Sequence, residues 1–282
     1  MNETHAQPAV VVGIDGSTMA LHAALWAIDE AVRRDIPLRL VHIVESGGAP
    51  TEDTAPQLAT ARRSLNRVVR AVEATHKAVK IETDIVHGQP AASLIRISRD
   101  AAIVCVGAVG SHHFQHGRIG STASAVAGRA HCAVAIVHAG TRPDRPHANV
   151  ILAAADDLRH VESVLKTAAY EATMRDATLR VITCWQPPRS DPLALEKGDI
   201  EISAQLERHL EHWRSRHRDL RAEAVAVHGS LSGYLTTHAA ELQSVIVTAR
   251  CPGQVNEVVG AAGYGALAGS DCVVLVVDHH HL

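Results

Sequence analysis

Aromatic side chains are scarce in this 282-residue chain: Phe114, Trp26, Trp185, Trp213, Tyr170, Tyr234 and Tyr264 make up 2% of it. A platform that stacks the bases of single-stranded nucleic acid needs several such rings, so their scarcity argues against that function. An excess of either charge is also lacking, with 27 Lys+Arg against 30 Asp+Glu and a formal net charge of −3. Acids and bases are interspersed, which speaks against a polybasic nucleic-acid binder or a membrane-surface protein. No apolar run approaches the ~18 residues that a membrane helix needs. The opening Met1-Asn2-Glu3-Thr4-His5 carries neither the basic region nor the apolar core of a signal sequence, and the expected location is the cytoplasm. Cysteine is sparse too: Cys105, Cys132, Cys184, Cys251 and Cys272 are odd in number and scattered, with no C-x-x-C pair for zinc or redox work. They read as small core fillers.

What the chain does have is aliphatic residues and repetition. At 46% hydrophobic it is not disordered, and its length allows two domains of ordinary size. Glu30 to Arg39 is echoed by Glu171 to Arg180 with six identities in ten positions, at an offset of 141. The same offset pairs Asp15 with Asp156 and Val86-His87-Gly88 with Val227-His228-Gly229, while His131-Cys132-Ala133-Val134 matches Asp271-Cys272-Val273-Val274. Two copies of one unit follow, read as domains 1–143 and 148–282, with a seam at His138–His147 where two prolines and a glycine suit a surface linker.

Short Val/Ile-rich runs alternate with stretches of helical period. The first copy reads as strands Ala9–Ile14, Leu38–Val44, Ile81–Val86, Ile103–Val106 and Ala133–Val137, separated by helices Met19–Arg34, Pro56–Thr75, Ala91–Arg99 and Ser121–Ala130. The second repeats the order with strands Val150–Ala154, Leu179–Cys184, Ala222–Val227, Val245–Val247 and Val273–Val277. Its helices are expected at Val161–Arg175, Glu201–Arg218, Leu231–Glu241 and near Ala262–Leu267. Strands apolar at every position, such as Ile103-Val104-Cys105-Val106, are buried on both faces, which predicts an α/β fold with a mainly parallel sheet flanked by helices. The first helix has a cap candidate in Ser17 or Thr18 and an apolar stripe through Leu21, Ala24, Leu25 and Ile28.

The segment that carries chemistry is Gly107-x2-Gly110-x9-Gly120-Ser121, placed between a strand and a helix rich in small residues. Glycines admit close backbone approach to an anion, and amides at the following helix start, with the Ser121 and Thr122 hydroxyls, can hold phosphate oxygens. Neither a Walker A loop nor a G-x-G-x-x-G fingerprint occurs; the first strand runs into Gly13-Ile14-Asp15-Gly16-Ser17.

With its opening Val-Val-Gly-Ile-Asp-Gly-Ser, the strand Leu-Val-His-Ile-Val, the glycine motif and the closing Ala-Val-Ala-Ile-Val, the chain resembles the universal stress protein family over essentially its whole length. The likeness is greatest to the tandem type found in mycobacteria. The resemblance implies two tandem HUP-type (Rossmann-like) domains, each with a five-stranded sheet, and an ATP site, with Mg2+ accompanying the nucleotide. Carried over, it puts Gly13 and Asp15 beside ribose and adenine and Ile43 against adenine through its backbone. Gly107 and Gly110 line the ribose and phosphate path, and Gly120, Ser121 and Thr122 bind phosphates. It also implies a nucleotide-linked regulator in stress, hypoxia or growth arrest, acting on an unidentified regulatory protein partner. The closing strands Ala133–Val137 and Val273–Val277 are then expected to pair within the chain as a pseudo-dimer, with a homodimer left open.

The second copy departs from the motif. Thr248 and Cys251 stand for Gly107 and Gly110, Gly260-Ala261 for Gly120-Ser121, Ala154 for Gly13 and Leu158 for Ser17, and Pro252 removes an amide beside the loop. One ATP per chain is expected, in the first domain. His112-His113-x-x-His116 and His209-x-x-His212 have no carboxylate or cysteine at ligand spacing, so no metal site is expected; Arg118 can reach a γ-phosphate or simply face solvent. No base has a secure place for activating water, which favours a non-enzymatic protein. A slow ATPase or adenylyl-transfer enzyme and a nucleotide-free scaffold stay open as alternatives.

Overall fold

Val10, Val11 and Val12 are β-branched and apolar on consecutive positions, so both faces of the strand they form must be covered. All three are buried, at the centre of a five-stranded sheet. The computed structural model describes residues 8–45, 55–110, 117–138, 148–155, 161–186 and 192–277. They divide into two units, one ending at His138 and the other running from Ala148 to Val277.

In the first unit, β1 (Ala9–Gly13), α1 (Thr18–Arg34), β2 (Leu38–Val44), α2 (Ala55–Glu73), β3 (Ile81–His87), α3 (Pro90–Ile97), β4 (Ala101–Gly107), α4 (Ser121–Arg129) and β5 (Ala133–Val137) alternate along the chain. The strands lie in the order β3-β2-β1-β4-β5 and every neighbouring pair is parallel. The chain builds outward from β1 through β2 to β3 and then returns to place β4 on the other side. The carboxyl ends of β1 and β4 therefore flank the point where strand order reverses, the place where open α/β sheets bind ligands.

The second unit repeats the plan with β6 (Val150–Ala154), α5 (Val161–Met174), β7 (Thr178–Trp185), α6 (Pro192–Arg216), β8 (Ala222–His228), α7 (Leu231–His238), β9 (Leu242–Thr248), α8 (Pro252–Val259), α9 (Ala261–Leu267) and β10 (Val273–Val277). Its order is β8-β7-β6-β9-β10, again parallel throughout. The α/β class, the five-stranded sheet in each unit and the strand positions agree with the sequence reading.

The repeat that announces the two copies records the end of a helix. Glu30 is 1% exposed and held by Arg33 and by Arg34, the latter at 2.9 Å; Glu171 is equally buried and held by Arg175 at 2.8 Å. The following Asp35 and Asp176 adopt left-handed backbone, φ 51° and 50°, which turns the chain out of the helix toward the next strand. Aspartate tolerates this conformation better than most residues. The pattern Glu-Ala-x-x-Arg-Asp thus encodes a buried ion pair and a helix stop together.

Four details differ from the sequence reading. The face of α1 against the sheet is built from Ala20, Ala23, Ala24, Ala27, Ile28 and Ala31, all buried, while Leu21 and Leu25 are only half-buried. Alanine lets the helix approach the strands closely, so the smallest side chains of the stripe sit innermost. Helix α6 begins at Pro192 rather than Glu201, and α8 was not foreseen at all. Pro192 and Pro252 each sit in the first turn, where the missing N–H of proline costs nothing. Finally, Cys105, Cys132 and Cys272 are buried as expected, but Cys184 near the end of β7 and Cys251 at the start of α8 are half-buried.

Candidate functional site

A cleft of about 670 Å³ opens at the carboxyl edge of the first unit's sheet, within the size range of small-molecule sites. Gly13, Asp15, Ile43, Gly107, Gly110, Gly120, Ser121 and Thr122 all line it. Residues far apart in the sequence meet because β1 and β4 are adjacent and parallel, with Val12 level with Cys105, so that both strands end at the cleft. Pairing of β1 with β2 stops at Gly13 and Val41, so Ile43 runs past the end of β1 into the wall of the cleft.

The turn from β1 into α1 is built by local hydrogen bonds. Asp15 Oδ1 accepts from the Ser17 amide at 2.9 Å, and Ser17 Oγ accepts from the Ala20 amide at 3.1 Å, capping α1. Gly16 between them has φ 86°, a conformation that other side chains rarely adopt. Of the two cap candidates, Ser17 does the capping.

The motif glycines serve different geometries. A Cβ at Gly107 would stand 2.6 Å from Met19 Cβ and 2.9 Å from the Ala20 amide nitrogen, so this glycine lets the start of α1 rest against the end of β4. A Cβ at Gly110 would stand 2.7 Å from Asp15 Oδ2. At Gly120 the nearest atoms would be 3.6 Å away, an ordinary contact, and its φ is −58°. Gly120 is the N-cap of α4 and gives it no side-chain cap, so the first amides of that helix meet the cleft without a protein acceptor from a cap residue. A partial positive charge of roughly half an elementary unit at a helix N-terminus suits an anion there.

Sequence reasoning did not find the rest of the wall. His42 and Glu45 on or just after β2, and Pro56, Gln57 and Thr60 on α2, also face the cleft. No motif marks α2, because helical period alone does not say which turn faces a ligand. His42 Nδ1 is buried without a hydrogen-bond partner among the described residues. Burial holds its pKa below the usual imidazole value of 6.5, with Asp15 pulling weakly the other way. Arg118 is exposed and does not line the cleft. His112, His113 and His116 lie outside the described residues, as do Asp156, Leu158, the linker 139–147 and the C-terminal histidines. His209 bonds Glu162 at 2.8 Å, and no metal-ligating group of three or more occurs among the described residues.

The corresponding region of the second unit is built differently among the described residues. Helix α8 occupies the stretch between the counterparts of Gly110 and Gly120, with Cys251 as its N-cap. Pro252 therefore opens a helix rather than depleting a loop of donors. From α8, Glu257 Oε1 accepts from the Ser232 amide at 2.8 Å and its hydroxyl at 2.9 Å, so a carboxylate of the protein already sits on the first turn of α7. At the end of β7, where the first unit has Val44, the indole of Trp185 lies against Gly198 of α6 and donates to Asp199 at 2.9 Å.

The universal stress protein family model matches residues 8–138. Two universal stress proteins of Mycobacterium tuberculosis (strain H37Rv) are similar over the full length of this chain and of their own, one 41% identical over 285 residues and the other 36% identical over 282. The fold is like that of a universal stress protein from Archaeoglobus fulgidus, with a TM-score of 0.72 over 99% of both chains at 14% identity. No helix among the described residues is long and apolar enough to cross a membrane. With a fold, a motif and full-length relatives in agreement, the chain belongs to the universal stress protein family.

Proposed function

We propose that the first unit binds one ATP, with Mg2+, in the cleft at the ends of β1 and β4, and that the chain acts as a nucleotide-linked cytoplasmic regulator rather than an enzyme. The observation that carries this reading is the open N-terminus of α4 facing Asp15 across Gly110 in a cleft of nucleotide size. An exposed carboxylate at Asp15 can accept from ribose hydroxyls, the strand-end backbone at Ile43 can read a base edge, and the amides after Gly120 can hold phosphate. Bound nucleotide would alter a surface of the first unit seen by a protein partner. The loss of the glycine motif from the second unit, with α8 in place of the Gly110–Gly120 stretch, supports a single site per chain. Regulation is favoured over turnover because Asp15 and Glu45 are the two carboxylates of the described wall, and Asp15 is assigned to the ribose hydroxyls rather than to activating water.

The test is mass spectrometry of nucleotide released on denaturing fresh protein, with equilibrium binding of ATP to the wild type and to Gly120→Ala. One equivalent of ATP per chain, weakened at least ten-fold in the variant, is the expected result. Steady-state phosphate release with and without Mg2+ should stay near background; sustained turnover would favour the ATPase alternative, and absence of any nucleotide binding the scaffold.

A further inference from the structure

The described wall of the cleft contains two carboxylates, one imidazole and no lysine or arginine. A polyphosphate brings several negative charges, and a helix N-terminus offsets only about half of one. Two described cations beside the wall stand on α2. Thr60, Arg63 and Arg67 follow one another at i, i+3 and i+7, and so share a face of that helix. This face meets the turn that carries Asp15 and Ser17: Arg67 Nη2 reaches Ser17 O at 3.5 Å, and Ser64 Oγ would lie 2.9 Å from a Cβ at Gly16. Arg63 Nη2 donates to Thr60 Oγ1 at 2.9 Å. Both Ser17 and Thr60 line the cleft. Neither arginine is in an ion pair with a carboxylate among the described residues, although Arg39 and Arg180 elsewhere in the chain are. Each guanidinium is exposed on a long flexible stem and holds only a neutral, readily exchanged acceptor.

We infer that Arg63 and Arg67 form a cationic rim that engages the phosphates of a bound nucleotide, so that the cleft prefers a nucleoside polyphosphate to the nucleoside. This inference rests on the nucleotide reading above and adds residues outside the glycine motif. An exposed arginine in water contributes modestly, but two acting on one polyanion, with charge-assisted bonds, are worth about ten-fold together.

The experiment measures ATP and adenosine binding to the wild type, to Arg63→Gln/Arg67→Gln and to Arg62→Gln/Arg70→Gln, in Mg2+-containing buffer at two ionic strengths. The expected result is an ATP Kd raised about ten-fold by the first double variant, with adenosine within two-fold of wild type and a shallower dependence of ATP binding on salt. The Arg62/Arg70 variant, which removes equal charge from the same helix, should bind ATP normally. Unchanged ATP affinity in the Arg63/Arg67 variant overturns the inference, as does an equal loss for adenosine or an equal loss in the Arg62/Arg70 variant. If the wild type binds neither ligand, it is the nucleotide reading itself that fails, and circular dichroism of each variant separates lost binding from lost folding.

Discussion

Asp15 and Gly110 face each other so closely that a single methyl group at Gly110 would stand 2.7 Å from Asp15 Oδ2. The other carboxylate oxygen of Asp15 holds the Ser17 amide at 2.9 Å, and Ser17 in turn caps α1. The missing side chain at Gly110 therefore leaves room for the carboxylate, which is linked through Ser17 to the first turn of α1.

Alanine at the three motif glycines should separate their roles. Gly107→Ala drives a Cβ into the backbone of Met19 and Ala20, a contact that cannot be relieved by a side-chain rotation, and should cost about 2–4 kcal/mol. Gly110→Ala meets only the end of a movable carboxylate and should cost about 1 kcal/mol while weakening ligand binding. Gly120→Ala has room, and should change stability by less than about 1 kcal/mol, the poorer cap being its chief cost. Urea denaturation of the three variants checks the order; Gly120→Ala being the least stable would refute this assignment.

Two adjacent acids on α1 should differ sharply. Glu30 is 1% exposed and neutralises Arg33 and Arg34, whereas the neighbouring Asp29 is exposed and pairs with Lys77 in solvent. Glu30→Gln leaves two arginines without their counter-charge at a buried position and should cost about 2 kcal/mol. Asp29→Asn should cost no more than about 0.5 kcal/mol. Equal losses in thermal or urea unfolding would show that burial is not what distinguishes the two pairs.

Burial pushes the thiols of Cys132 and Cys272 up to about 12, from an ordinary value of 9.0. Thiol reagent at pH 8 should accordingly modify half-buried Cys184 and Cys251 well before Cys105, Cys132 and Cys272. The sign for stability follows from linkage: between pH 9 and about 12 the unfolded chain releases thiol protons that the folded chain keeps, so stability present below pH 9 is lost as pH rises. Cys132→Ala/Cys272→Ala should flatten that alkaline slope in urea titrations. An unchanged slope would place its origin in other groups.

Much of this protein was legible in the order of its residues. Continuous β-branched runs require strands covered on both faces, which dictates a parallel sheet with helices on either side. The recurring Glu-Ala-x-x-Arg-Asp marks two copies because a buried ion pair and a left-handed turn tolerate few alternatives. Gly107, Gly110 and Gly120 stand out by their spacing taken together with the strand motifs that carry the family resemblance. Tertiary structure decided the rest. Thr60 lines the cleft, and Arg63 and Arg67 stand beside it, only because α2 packs against the turn after β1, and a helical period cannot say which of its turns will meet another element. Helix α8 stayed hidden because proline reads alike as a breaker and as a first-turn residue, and only the packing of its apolar face on the sheet selects the helix. Whether Glu257 faces water or caps α7 is likewise a question of which groups the fold brings within 3 Å of one another, and local sequence carries no record of that distance.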